Sequence, residues 1–130
     1  MKNIIKNEKG QSLVEFAIVL PILLLIVMGI AELGMILNSY LTIQNISREV
    51  ARLGSVGATD TDIQNIISSN STNLNQQNLV VSLAPVAGAR NSGDTITAVV
   101  TYDYHLTVPI ISGILKNDVV IKTQTSMRIE

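Results

Sequence analysis

A chain of 130 residues holds at most one small globular domain besides whatever its front end does. Its formal charge of −1 argues against electrostatic capture of nucleic acid, and its lack of cysteine excludes disulfides, thiolate metal ligation and a cysteine nucleophile. Hydrophobic residues make up 47% of the sequence and crowd into the first third, so their placement says more than their number.

Residues 1–10, MKNIIKNEKG, set Lys2, Lys6 and Lys9 against Glu8 and read as a short basic leader. From Phe16 to Ala31 the chain runs sixteen residues without a charge or a strongly polar group. A membrane-spanning helix needs about 20 mostly apolar residues for a hydrocarbon core of about 30 Å. Leu13 to Leu37 supplies that length provided Glu15 and Glu32 are accommodated, so a single transmembrane helix is expected over 11–38. Pro21 removes one helical hydrogen bond, a loss that membrane helices tolerate better than soluble ones. The lysine-rich leader orients the span with its N-terminus in the cytoplasm and residues beyond 38 outside.

The helical pattern outlasts the apolar run. Leu33, Ile36, Leu37, Tyr40, Ile43, Ile46, Val50 and Leu53 recur at spacings of three and four, an amphipathic stripe that extends the helix over 39–57. Glu49 and Arg52 stand three apart on its solvated face. Gly54 and Gly57 are stop signals, so one helix is expected from about Ser12 to Leu53.

Residues 58–130 form the expected small extracytoplasmic domain. ATDTD is a cap-like cluster before DIQNIISSN, whose Ile63, Ile66 and Ile67 predict a short helix. After the polar connector SNSTNLNQQN the period changes from 3.6 to 2. Leu79, Val81 and Leu83 alternate with polar neighbours. Ile96, Ala98, Val100, Tyr102, Tyr104, Leu106 and Val108 share one strand face, and Val119, Ile121, Met127 and Ile129 share another. NSGD (91–94) and LKND (115–118) are turn signals between strands. The expected fold is therefore α+β and pilin-like: a long N-terminal membrane helix leading into a three-stranded antiparallel sheet. The amphipathic half of the helix covers the sheet's apolar face.

The front end raises the question of processing. A secretory signal peptide is cut after its apolar core, and Gly29-x-Ala31 matches such a site weakly. That cut would discard the best-patterned segment of the chain. A cut before the apolar run, between Gly10 and Gln11, keeps the helix and makes Glu15 the fifth residue of the mature chain.

At KGQSLVEFAIVLP the chain resembles the prepilins of type IV pilus-like systems. GQSLVEFAIVLPILLLIVMGIAELG followed by ISREVARLG is similar to the TadE-like family of tight-adherence pili. The resemblance covers residues 9–54 closely, and VVTYDY and TSMRIE more loosely. It implies a minor pilin or pseudopilin, structural in pilus biogenesis and surface adhesion. A prepilin peptidase would cut between Gly10 and Gln11, and Glu15 with Phe16 would serve processing or filament entry. The implied partners are the peptidase, other pilin or pseudopilin subunits and the inner pilus assembly platform. The implied location is the cytoplasmic membrane, single-pass, with passage into the extracellular pilus.

Glu15 has a physical rationale of its own. A carboxylate at the centre of a lipid-embedded helix costs roughly 2.5–3.5 kcal/mol on insertion scales, and less near the edge. The α-amino group of a neighbouring subunit's Gln11 would offset that cost. Such a pair sets register more than it adds stability.

Glu32 is expected at the outer membrane edge or paired within a helix bundle. His105 shares the polar face of its strand with Asp103, but no activated nucleophile, second acid or glycine-rich loop accompanies it. No enzymatic activity, metal, cofactor or small-molecule substrate is expected. PIISGIL (109–115) reads as a flap closing the end of the core or as a partner surface. The competing reading for the whole chain is a non-pilin, single-pass accessory subunit of an envelope or secretion complex. A third is a secreted protein cut after Ala31.

Overall fold

The computed structural model describes residues 8–116 and 118–130. One helix, α1 (Glu8–Ser55), takes up 48 residues, about 70 Å at 1.5 Å per residue. It runs through Pro21 without a break and passes the expected 38/39 boundary as regular helix. Its most apolar eighteen-residue window has none of its residues buried within the fold. Side chains from Leu13 to Met28 are exposed on every face, as in a helix that meets lipid rather than protein.

From Glu32 onward the helix acquires a packed side. Glu32, Ile36, Ser39, Ile43, Ile46 and Val50 follow one another at alternating spacings of four and three, all buried or half-buried. This face differs from the stripe read in the sequence. Ile36, Ile43, Ile46, Val50 and Leu53 lie on or beside it, whereas Leu33, Leu37 and Tyr40 are exposed. Apolar residues lie on several sides of this helix, so hydrophobic spacing alone does not single out the packed side.

After α1, Thr59 caps α2 (Asp60–Asn70) with a reciprocal box. Its hydroxyl accepts from the Asp62 N–H, and its own N–H donates to the Asp62 carboxylate. Ile63 and Ile67, on the expected helical spacing, are buried against α1. A short 3₁₀ turn (Gln76–Asn78) then leads into β1 (Leu79–Ala84).

The sheet is an antiparallel meander, β1–β2–β3, with β2 (Thr95–His105) in the centre and β3 (Asp118–Arg128) at the far edge. Register is set by inward alternation. Val81 faces Val100, and Tyr102 faces Ile121. Ile96, Ala98, Val100, Tyr102 and Tyr104 point into the core, as the period-2 pattern predicts. NSGD lies in the β1–β2 loop, where Gly93 takes a φ of 91°, the left-handed region that glycine adopts without strain. Of the second turn, Asn117 lies outside the described residues.

Ile43, Ile46 and Val50 of α1 close the core between α2 and the sheet. Each buried Ile or Val adds roughly 1.5–3 kcal/mol of transfer free energy. The layer has a polar centre as well. The Ser47 hydroxyl bonds Thr125 Oγ1 at 2.7 Å, and the Thr123 hydroxyl donates to the Ile43 carbonyl at 3.3 Å. These small side chains let the helix come close to the sheet. Gly54 is the tightest point, since a Cβ there would meet Ile96 Cδ1 at 2.4 Å.

The strand reading carried Leu106 and Val108 as part of β2, but β2 ends at His105. Residues 109–115 fold into a third helix, α3 (Pro109–Leu115), beside the lower part of α1. Thus α1 runs antiparallel to β2: Gly54 meets Ile96, Ser47 meets Ala98, and Glu32 meets Thr107.

Candidate functional site

The front of α1 carries the residues singled out in the sequence. Gly10 is half-buried and lies near the front of the described part of α1. Glycine within a helix is less favourable than alanine by roughly 0.5–1 kcal/mol. The Gly10–Gln11 peptide bond thus follows a weak helical position.

Gln11 and Glu15 are one turn apart on the same face, both exposed. The Gln11 side-chain amide donates to a Glu15 carboxylate oxygen at 3.2 Å. Within one chain, then, Glu15 already has a neutral donor. Phe16 is exposed and projects about 100° further round the helix, away from that pair. The structure brings Gln11 and Glu15 together and leaves Phe16 as a separate apolar projection.

The second carboxylate of the apolar run behaves differently. Glu32 is only 1% exposed. One carboxylate oxygen accepts from the Thr107 backbone N–H at 2.9 Å, and the other from that of Val108 at 3.2 Å. Tyr104 stands beside it, its hydroxyl held above the ordinary tyrosine range, first by burial and then by hydrogen bonding to Glu32. Glu32 is thus a clamp between the long helix and the segment entering α3. The sequence marked Glu32 as a charge in an apolar run but held no sign of its partners, which lie 75 and 76 residues away.

His105 and Asp118 face each other across β2 and β3, and the imidazole Nδ1 is hydrogen-bonded to the carboxylate. Both are exposed and lie at the end of the sheet where α3 connects β2 to β3. Glu49 and Arg52 form the expected surface pair at 2.8 Å. Among the described residues no three His, Asp or Glu side chains gather in a metal-binding group. A surface recess of about 360 Å³ between α2 and β1 is lined by Gln64, Ser68, Gln76 and apolar neighbours, with no titratable side chain.

Residues 10–52 match the family model described as TadE-like protein. The matched segment begins at Gly10, includes Glu15, Phe16 and Glu32, and lies wholly within α1. No curated protein and no solved structure gives a match.

Proposed function

Starting from a TadE-like segment at residues 10–52, which associates the chain with tight-adherence pili, we propose that it is a minor pilin or pseudopilin. It serves pilus biogenesis and surface adhesion as a structural subunit and catalyses no reaction. Residues 1–10 are its leader, 11–38 its span, 39–57 the helical extension and 58–130 the extracytoplasmic domain. A prepilin peptidase cuts between Gly10 and Gln11 on the cytoplasmic side. Loss of the leader removes Lys2, Lys6 and Lys9 together with Glu8, which weakens the cytoplasmic anchor and eases extraction of the helix from the bilayer.

One observation carries this reading: the TadE-like segment coincides with an unbroken helix whose apolar front half is buried by nothing in its own fold. A soluble domain would have to hide that surface. Lipid, and later the helices of neighbouring subunits, are the surroundings that suit it. Glu15 then meets either the Gln11 amide of its own chain or the new α-amino group of a neighbour's Gln11. The assembly platform and sister subunits are the partners this requires.

The test is the N-terminus of the chain purified from cells, read by mass spectrometry. A chain starting at Gln11 supports the proposal. An intact Met1 overturns it in favour of the single-pass accessory subunit, and a start at Glu32 in favour of a secreted protein.

A further inference from the structure

We infer that α3 is a membrane-seated element: it lies in the outer leaflet at the hydrocarbon–headgroup boundary, with Ile110, Ile114 and Leu115 turned to lipid. The inference rests on the reading of α1 as a membrane span and adds a second contact between the protein and the bilayer.

The first argument is level. Counting about 20 residues for the hydrocarbon core from Leu13 or from Phe16 ends the span between Glu32 and Met35. The cleft between α1 and α3 is walled by Gly29, Glu32, Leu33 and Ile36 on one side and by Leu106, Ile111 and Leu115 on the other, with the Glu32 carboxylate engaged by the Thr107 and Val108 N–H groups. α3 therefore stands beside the last two turns of the span. Tyr40, exposed a little over one turn beyond Ile36, falls where interfacial tyrosines collect.

The second argument is surface chemistry. α3 reads PIISGIL, with no charge, and Ile114 is 77% exposed. Ile110 and Leu115 are exposed too, and Ile111 lies against Gly29 of α1. The cleft, about 220 Å³ with apolar walls, has the character of a place for an acyl chain rather than for water. The titratable groups around α3 lie at its ends, with His105 and Asp118 at the end of the sheet and Lys116 after the last turn. A lysine at that position extends its ammonium to the headgroups while its stem stays apolar.

The third argument is hydrogen-bond satisfaction, which hydrocarbon demands and water does not. The Thr107 and Val108 N–H groups are taken by Glu32, and Pro109 has no N–H to satisfy. The Ser112 N–H donates to the Val108 carbonyl and its hydroxyl to the Pro109 carbonyl. The Glu32 carboxylate thus satisfies two of the N–H groups entering α3, while the uncapped first turn of α3 suits the headgroup boundary rather than the hydrocarbon centre.

The full chain has no tryptophan, so single reporters are clean. Leu23→Trp, Ile114→Trp and Val86→Trp are each made in the full chain and reconstituted into phosphatidylcholine–phosphatidylglycerol vesicles with brominated acyl chains. Val86 is exposed in the β1–β2 loop, at the opposite end of the sheet. The expected result is a blue-shifted, strongly quenched emission from Leu23→Trp, deepest with bromine near the chain ends. Ile114→Trp is also quenched, but most by bromine high on the chain, because an interfacial helix sinks only about 5–10 Å. Val86→Trp keeps its emission.

Quenching at position 23 without quenching at 114 overturns the inference and leaves the span intact. If 114 instead crosslinks between copies, the surface is a subunit contact and the inference falls in that direction. No quenching at 23 removes the span, and this inference with it.

Discussion

Glu32 and Thr107 lie 75 residues apart in the chain and 2.9 Å apart at their hydrogen-bonding atoms. That bond, with its twin to Val108, ties the sheet domain to the helix at the end of the apolar run. The helix therefore does more than carry the domain on its upper half. It holds the lower edge of the domain at a set height, and so fixes where the loop between β2 and β3 meets its surroundings.

Removing the clamp should loosen that edge and little else. Glu32→Ala takes away the shared acceptor of the part-buried Thr107 and Val108 N–H groups, and a hydrogen bond to a charged group contributes roughly 1.5–3 kcal/mol. Glu32→Gln keeps one acceptor and should fall between wild type and alanine. In hydrogen exchange the amides of Thr107 and Val108 should speed up strongly in Glu32→Ala, while Val100 and Ile121 in the sheet keep their protection. Uniform acceleration across the sheet would show that Glu32 supports the whole fold instead.

Two glycines of α1 should respond in opposite directions. Gly34→Ala meets nothing within 4 Å and should stabilise the helix by about 0.5–1 kcal/mol. Gly54→Ala gains the same helical preference but drives a methyl group into the buried Ile96 side chain, with an overpacking cost of roughly 1–3 kcal/mol. Thermal unfolding in detergent should place the Gly34 variant at or above wild type and the Gly54 variant below it.

The clamp predicts a pH dependence through Tyr104. Its hydroxyl titrates higher in the folded chain than its ordinary value of about 10, chiefly because it is buried and also because it bonds Glu32. A group whose folded pKa is raised contributes stability that is fully present below the unfolded pKa. That contribution is lost as pH rises from the unfolded value through the folded one. Unfolding midpoints should therefore be insensitive to this residue at neutral pH and fall above about pH 10. Tyr104→Phe should flatten the alkaline limb; an unchanged limb would assign it to other groups.

At the front of the helix, the proposed role of Glu15 depends on charge. Glu15→Gln retains an oxygen for the Gln11 amide but carries no charge to pair with a neighbour's amine. Both Glu15→Gln and Glu15→Ala should therefore block processing or filament entry, read as unprocessed chain on gels or loss of surface fibres. Normal processing and assembly in Glu15→Ala would remove the role. A working Glu15→Gln beside a failing Glu15→Ala would reassign it to the hydrogen bond with Gln11.

Sequence alone determined the long helix and the three strands, because both are written in local spacing. Apolar residues at three and four carried α1 past the lipid-length run, and alternation placed Val100, Tyr102 and Ile121 on the inner face. The same local logic read the front end, where Gly10, Gln11, Glu15 and Phe16 stand within seven residues of one another. It placed Ile36, Ile43, Ile46, Val50 and Leu53 on or beside the packed side of α1 but counted Leu33, Leu37 and Tyr40 with them, which are exposed.

Tertiary structure alone added the small residues of the packed side, Ser47 and Gly54, which sit against the sheet. It also folded PIISGIL, read as a flap or a partner surface, into a short helix beside α1, and gave Glu32 its two donors. Those facts depend on atoms brought together from distant parts of the chain. A charge in an apolar run announces that it needs a partner, but only the closed fold supplies one.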